Sequence, residues 1–235
     1  MRYIVLFVAL SLQLLYWHDT HNIKPNLAIM PVLPTKKEMA AMAFGDNQLY
    51  YRTLGLKLQM AGDTWGRSTP LKDYDYPQLY KWFTLLDSLD ERAHYIPSLA
   101  AYYFSRSQHI PDVKYVLDYL EERSFKDPER NWWWLSQSIY LANSVLGDKE
   151  RAIKIAHKLR EVHTEIPMWA RQMEAFLRED LGQKDQAKEI ICDVAKNFKD
   201  IPEKEVDFMI YFLEQRLKVV KSKHKNKDIS EICAE

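Results

Sequence analysis

A pair of similar helical segments between Trp132 and Pro202 constrains the fold of this chain more than any other feature. Residues 146–152 read Leu-Gly-Asp-Lys-Glu-Arg-Ala, and residues 181–187 read Leu-Gly-Gln-Lys-Asp-Gln-Ala, 35 positions later. In each copy a predicted helix precedes the Leu-Gly turn, a second helix follows it, and a proline follows the second helix. A single helix pair cannot bury its apolar stripe alone, so neighbouring pairs must stack.

The second helices of the copies share one apolar face. Ile155 corresponds to Ile190, and an earlier copy fits at a spacing of 39 residues, where Val116 corresponds to Ile155. Apolar residues recur at i, i+3 and i+7, which lie on one side of an α-helix. We therefore predict stacked helical repeats and an amphipathic capping helix over residues 95–217.

A period of about 34 residues built from two helices is the signature of the tetratricopeptide repeat. On its Leu-Gly-x-x-x-x-Ala turns at 146–152 and 181–187, the chain resembles the tetratricopeptide repeat family, with Ala152 and Ala187 as the family's small residue on the second helix. The resemblance implies an all-α, right-handed solenoid of antiparallel helix pairs. It also implies a curved face that binds other proteins.

The composition excludes several classes of protein. Six glycines and few alternating β-branched runs argue against a sheet, whereas an apolar content of 47% supplies a sizeable core. Thirty-three basic residues balance 33 acidic ones, so the chain as a whole lacks the charge signature of a nucleic-acid-binding protein. Cys192 and Cys233 do not make a disulfide framework and suit a reduced compartment, or an oxidising one in which few cysteines are used. On a helix among apolar residues, Cys192 is expected to be a small buried hydrophobe.

Residues 1–18 form an apolar N-terminal segment, in which residues 3–17 carry no charge. A helix over the uncharged residues spans roughly 22 Å, short of the ~30 Å hydrocarbon core of a bilayer. A small-residue cleavage site is poorly placed, so we predict an uncleaved single-pass anchor helix that tilts or thins the bilayer. Arg2 favours a periplasmic or extracytoplasmic body. The alternatives are a secreted protein whose signal is cleaved and a soluble protein with a buried N-terminal helix.

The remaining regions divide by composition. Residues 19–36 contain three prolines and predict an extended linker. Residues 37–94 predict an N-terminal helical region, and residues 218–235 predict a lysine-rich, solvated tail. His18 and His21 have no third ligand at a fixed spacing, so we expect no metal site.

Local signals predict where helices begin in the N-terminal region. Thr35 with Glu38 three residues later forms the pattern of a capping box. Asp46 or Asn47 is expected to cap the next helix, and Pro77 to open the one after it at its first turn.

Residues 61–76 form the longest predicted connection between helices. The Gly-Asp-Thr-Trp-Gly-Arg and Asp-Tyr-Asp-Tyr elements of this segment are similar to those of bacterial membrane-anchored repeat proteins of uncharacterised function, a resemblance that implies no activity. Loops this long tend to be functional or specially packed. The candidate ligand- or partner-binding residues are Asp63, Trp65, Arg67, Asp73 and Asp75. In the alternative interpretation, Trp65 and Tyr74 of an ordered loop plug the core.

Three consecutive tryptophans provide the strongest candidate for a binding surface. Successive helical positions point about 100° apart, so these side chains cannot all face the core, and aromatic residues commonly anchor protein interfaces. The predicted partner-binding residues are Trp132, Trp133, Trp134, Gln137, Trp169, Gln172 and Phe176. The alternative places Trp132 before the helix, where it caps the previous repeat.

No nucleophile elbow, zinc pattern, phosphate loop or dinucleotide fingerprint occurs in the sequence. The sequence therefore predicts no catalytic residue, cofactor or metal, and a protein that is not an enzyme. We predict a membrane-anchored scaffold or adaptor that binds a partner protein and no nucleic acid. The alternatives are a periplasmic or secreted subunit that binds a small ligand through residues 61–76, and a structural subunit of a membrane complex.

Overall fold

The computed structural model describes residues 2–20, 29–63, 68–198, 201–218 and 229–234. Within these residues the protein is helical and contains no strand, which confirms the all-α class. Residues 21–28 of the predicted linker lie outside the described residues, as do Trp65, Arg67 and residues 219–228 of the predicted tail.

In chain order the α-helices are α1 (Arg2–Thr20), α2 (Lys36–Ala43), α3 (Asn47–Gln59), α4 (Tyr76–Asp87), α5 (Tyr95–Ser98), α6 (Val113–Lys126), α7 (Pro128–Tyr140), α8 (Lys149–Arg160), α9 (Met168–Asp180), α10 (Lys184–Asn197), α11 (Glu203–Tyr211) and α12 (Ile229–Ala234). Three of them continue directly into π-helical turns, α5 at Leu99–Tyr103, α7 at Leu141–Val145 and α11 at Phe212–Leu217. Single 3-10 turns lie at Leu71–Asp73, Phe104–Arg106 and Ile110–Asp112. The connections between helices are short from α6 to α11, whereas 16 residues separate α3 from α4.

The helix starts in the N-terminal region form as the local signals predict. The Thr35 amide donates to Glu38 Oε2 at 2.6 Å, and the Glu38 amide donates to Thr35 Oγ1 at 3.2 Å, completing a capping box. Asp46 accepts from the Leu49 amide at 2.8 Å and caps α3. Pro77 lies in the first turn of α4, where its missing N–H leaves no helical bond unmade.

The predicted N-terminal helix is present as α1, and its large apolar side chains are exposed, from 50% at Val8 to 87% at Tyr3. None of the described helices combines the length and the apolarity that crossing a membrane requires. The uncharged residues 3–17 span only about 22 Å as a helix.

Consecutive helices from α6 to α10 pack against one another, and α4 packs against α6. The buried apolar residues form two clusters. The main core extends from Met30 to Leu177, with Tyr51, Tyr76, Phe83 and Phe104 among its fully buried aromatic side chains. The C-terminal core extends from Ala175 to Ile232 and includes Phe212. The two cores adjoin on α9, which contributes residues to both.

A buried ion pair ties α4 to α6 inside the main core. Arg123 Nη1 lies 2.6 Å from Asp87 Oδ2, and the Tyr119 hydroxyl donates to Asp87 Oδ1 at 3.0 Å. The other end of the guanidinium donates to the carbonyls of Glu91 and Ala93 at 2.8 and 2.9 Å, which fixes the turn after α4. Burial raises the pKa of the Asp87 carboxyl, although Arg123 opposes that shift.

A second buried carboxylate, Glu174, lies between α8 and α9 and is 2% exposed. Three cationic or polar side chains converge on it: Arg160 Nε at 3.1 Å, His157 Nδ1 at 3.2 Å and Arg178 Nη2 at 3.3 Å. A buried charge persists only when it is paired in this way. The Glu174 group therefore fixes the register of α8 against α9.

Cys192 and Cys233 form a disulfide with a Cα–Cα distance of 5.5 Å across a sequence separation of 41. The prediction that Cys192 is only a small buried hydrophobe is wrong, because the chain returns after residue 228 and places Cys233 of α12 against α10. The prediction of a solvated tail is also wrong for α12. Ile229 and Ile232 are 7% and 1% exposed, because they complete the C-terminal core.

Candidate partner-binding site

The start of α7 determines where the three consecutive tryptophans lie. Asp127 accepts from the Arg130 amide at 3.2 Å, and Pro128 occupies the first turn, so the helix begins directly after α6. Asn131 has φ −104° and ψ 19°, which bends the first turn. Trp132 therefore lies within α7, and not before it as the alternative interpretation placed it.

The three side chains point in different directions, as the helical spacing predicts. Trp134 is 5% exposed and donates its indole N–H to His94 Nδ1 at 3.1 Å, so it belongs to the core. Trp133 is 40% exposed and donates to the Tyr102 hydroxyl at 2.7 Å. Trp132 is half-buried, and its ring meets the rings of Trp133 and of Trp169 on α9.

Trp132, Trp133 and Trp169 form what we call the tryptophan cluster. The ring centroids of Trp132 and Trp133 lie 5.6 Å apart, and each lies 6.4 Å from the centroid of Trp169. All three pairs meet edge to face, the arrangement that the ring quadrupoles favour. Trp169 is 40% exposed, like Trp133, so the cluster presents two indole surfaces to solvent.

The relative position of α7 and α9 is fixed by Glu129. Its carboxylate accepts from the backbone amides of His163 and Thr164 at 2.9 and 2.6 Å, in the connection that leads into α9. These hydrogen bonds lower the pKa of Glu129 to about 2. Glu129 lies one turn before Trp132 on α7, and the connection that it holds leads to Trp169 on α9. The same carboxylate therefore positions the helix of Trp132 and Trp133 against the helix of Trp169.

Arg171 holds the same connection from the other side. Its guanidinium donates to the carbonyls of Val162 and Thr164 at 2.6 and 2.9 Å, and it stacks 3.9 Å from the ring centroid of Phe198. Burial lowers the pKa of Arg171. The backbone before α9 is therefore held by an anion, Glu129, and by a cation, Arg171.

A second set of aromatic rings, which we call the phenylalanine group, lies further along the same face. The Phe176 ring centroid is 5.9 Å from that of Phe208 and 5.3 Å from that of Phe212. Phe208 and Tyr211 on α11 are 37% and 53% exposed. Phe212 is fully buried, so the group links the surface to the C-terminal core.

Gln172 lies between the two aromatic sets, at i+3 from Trp169 and i−4 from Phe176. It is 1% exposed, and within the described residues neither its amide nitrogen nor its amide oxygen has a hydrogen-bond partner. Gln137, its counterpart 35 residues earlier, is half-buried on α7. The structure thus brings Trp132, Trp133 and Trp169 together and leaves Gln172 and Phe176 beneath the same face, whereas it assigns Trp134 to the core.

Tyr102, Phe208 and Tyr211 belong to this surface and were not among the predicted residues. Tyr102 lies on the π-helical turn after α5 and is 45% exposed. One signal in the sequence could have indicated them. Tyr102 precedes the second helix of the earliest repeat, and Phe208 and Tyr211 lie on the capping helix, so both positions continue the row of first helices that carry Trp133 and Trp169.

The other candidate site, residues 61–76, packs against the main core over the part that the structure describes. Tyr74 is 6% exposed and donates its hydroxyl to the carbonyl of Ala61. Asp75 accepts from the Gln78 amide at 2.9 Å and so caps α4. Asp63 and Asp73 are exposed, and Trp65 and Arg67 lie outside the described residues. These contacts favour the packed loop over a ligand site.

No group of three or more metal-ligating side chains occurs among the described residues. Comparisons with protein-family models, with curated proteins and with solved structures gave no match for this chain.

Proposed function

We propose that this protein is a helical-repeat adaptor that holds an extended segment of a partner protein on the aromatic face of α7, α9 and α11. The observation that carries the proposal is the tryptophan cluster, in which Trp133 and Trp169 each expose 40% of their surface in a fixed arrangement. Large aromatic side chains dominate the energy of protein interfaces when they are clustered and rigid. The rings on α7 and α9 already contact one another, and such pre-organisation reduces the entropic cost of binding.

The chemistry of the face indicates the kind of segment it accepts. The indole N–H groups of Trp132 and Trp169 donate to no acceptor within the described part of the chain, so they can receive a partner carbonyl. Along α9, Trp169 and Phe176 are roughly 10 Å apart, a distance that about three residues of an extended chain cover. We therefore propose a segment with apolar or proline side chains at alternate contacts and accessible backbone carbonyls.

The amide of Gln172 lies beneath this face and is 1% exposed, so a segment bound on the surface does not reach it. A buried amide without partners lowers stability by about 1–3 kcal/mol per unmade bond. Gln172 therefore lowers the stability of the protein and takes no direct part in the proposed contact.

The proposal includes a right-handed solenoid and attachment to a membrane through α1. Short connections and packing between consecutive helices support the stack. The exposed, uncharged side chains of residues 3–17 support insertion of α1 into lipid, with tilt or local thinning of the bilayer. The disulfide between α10 and α12 supports a body in an oxidising compartment, outside the cytoplasm.

The test uses the full chain with a C-terminal tag, crosslinked in native membranes and purified beside a Trp133→Ala/Trp169→Ala variant. The matched control is Ile110→Ala, because Ile110 is 46% exposed and lies in the turn before α6, on none of the three helices of the proposed face. We expect one stoichiometric protein with the native chain and the control, and its loss with the double variant. Titration of the purified partner should then show a decrease in affinity of about 100-fold.

A Gln172→Met variant sharpens the test, because it changes the buried layer of α9 and leaves the exposed rings in place. We expect its thermal stability to equal or exceed that of the native chain, and its affinity for the partner to be unchanged. An unchanged affinity in the tryptophan variant would show that the partner binds elsewhere.

A further inference from the structure

The outer face of α3 carries an apolar stripe that the rest of the described protein does not cover. Leu49, Leu56 and Met60 are 63%, 51% and 56% exposed. Their spacing of seven and four residues lines one side of a helix, about 16 Å long from end to end. Thr53 lies on the same side and donates its hydroxyl to the Leu49 carbonyl at 2.9 Å, so the helix itself satisfies that hydroxyl.

The stripe is not a misplaced core face, because α3 buries its opposite side. Tyr51, Leu54 and Leu58 are 2%, 8% and 1% exposed in the main core. A helix with two apolar sides can pack against two neighbours. The described residues cover one side of α3, and the other side is exposed.

Two cations flank the stripe. On a helical projection Arg52 lies on one side of the line from Leu49 to Met60, and Lys57 lies on the other. Within the described residues neither side chain makes an ion pair or a hydrogen bond. Along the chain, Asp46 is turned back onto the amide of Leu49 as a helix cap, as Glu38 is onto the amide of Thr35. Asp63 is exposed three residues after Met60, beyond the end of the stripe. The face is therefore apolar in the middle and positive at both edges.

The turn between α2 and α3 extends this face. Phe44 has φ 48°, a left-handed conformation that is strained for a non-glycine residue, and it is 95% exposed. Met42 is 56% exposed, and its sulfur accepts from the Tyr50 hydroxyl at 3.5 Å. Tyr50 thereby joins the turn to α3, so the two apolar side chains and the stripe form one surface.

We propose that this surface, Met42, Phe44, Leu49, Leu56 and Met60 with Arg52 and Lys57 at its edges, docks on an anionic lipid surface. The proposal rests on the proposed attachment of α1, which lies just before α2 in the chain and keeps α3 near the bilayer. Apolar side chains inserted at the headgroup level, with cations beside them, are the combination that binds anionic membranes. A symmetric contact between two copies is disfavoured, because it brings Arg52 and Lys57 of both copies to one interface.

Docking in this way orients the repeats. The N-terminal end of the described helices lies on the lipid in this arrangement. The inference thus gives α3 a role separate from partner binding.

The test reconstitutes the full chain with vesicles of phosphatidylcholine alone and of phosphatidylcholine mixed with phosphatidylglycerol, and measures binding by flotation. We expect the native chain to float with both vesicles through α1. On the anionic vesicles, Arg52→Gln/Lys57→Gln should shift the docking equilibrium of α3 by about 30-fold, roughly fivefold for each cation, measured as the loss of lipid labelling from a photoreactive residue at position 44. The matched control is Lys149→Gln/Lys184→Gln, which removes two exposed lysines far along the chain and should bind like the native chain.

A photoreactive phenylalanine analogue at Phe44 provides the second readout, with the same analogue at Tyr140 as control. We expect lipid crosslinks from position 44 on anionic vesicles and none from position 140. If the chain binds neither vesicle, the attachment through α1 is wrong. If the chain floats but position 44 labels no lipid, or labels a second copy of the chain, the attachment stands and the docking of α3 is overturned.

Discussion

The main core and the C-terminal core are built from the same kind of helix, yet they are stabilised differently. The main core receives several fully buried aromatic side chains and an internal ion pair between Asp87 and Arg123. The C-terminal core contains Phe212 as its fully buried aromatic side chain and closes with α12, a helix of six residues. A disulfide holds that last helix in place.

The difference follows from helix length. In the main core α6 and α7 have 14 and 13 residues, and burial of their apolar sides stabilises them. With six residues α12 is too short to form an isolated helix in water, and it packs against α10 and α11. The covalent link to α10 adds to this packing by restricting the unfolded chain. Each variant below alters one core or the junction between them, in order of decreasing expected effect.

The largest effect is expected in the main core, from Arg123→Met. The change leaves Asp87 buried without its cation and removes the donors to Glu91 and Ala93, so the free energy of unfolding should fall by about 3–5 kcal/mol. Urea unfolding measures this loss. The companion variant Asp87→Asn/Arg123→Met removes both charges and should recover most of it. An equal loss in both variants would show that the ion pair is not the source.

Removal of the disulfide should affect the other core. With Cys192→Ala/Cys233→Ala we expect a loss of about 2–4 kcal/mol, because a loop of 41 residues is no longer closed in the unfolded chain. Hydrogen exchange should show faster amides in α10 and α12 and unchanged amides in α6. Equal acceleration in α6 would mean that the two cores unfold as one unit and that the comparison fails.

The smallest effect concerns the junction, where Glu129 on α7 holds the connection into α9. Its folded pKa is about 2 against an ordinary value of 4.5, so its contribution is fully present above pH 4.5 and is lost as the pH falls toward 2. Glu129→Gln should therefore destabilise the protein by on the order of 1 kcal/mol or less near neutrality, since the site is largely solvated.

The difference between Glu129→Gln and the native chain should shrink on acidification, which pH-dependent thermal unfolding measures. Glu165→Gln is the control, because Glu165 is exposed in the same connection. A constant difference across the acid range would assign the effect to packing and not to the charge.

Local signals in the sequence were enough to place several helices. The Thr35–Glu38 capping box, the Asp46 cap and Pro77 each act within one turn, so their outcome depends little on the rest of the fold. The divergence of Trp132, Trp133 and Trp134 follows from helical geometry alone and was predicted for the same reason.

Features that depend on distant residues could not be read in this way. The pairing of Cys192 with Cys233 requires the chain to return across α10 and α11, which no local pattern encodes. The same holds for the contact of Tyr102 with Trp133, which joins two helices on either side of α6. Gln172 was predicted at the partner surface, but its burial depends on how α9 packs, and helical spacing alone does not fix that.

The disulfide also changes the topology of the chain. Residues 192–233 form a closed covalent ring, and residues 218–227 within it contain five lysines. A protease that cuts once after any of these lysines opens the ring without dividing the molecule, so the nicked protein keeps its mass on a non-reducing gel. Only a reductant then releases the fragment that carries α12, and the C-terminal core survives a cut that would shorten an uncrosslinked chain.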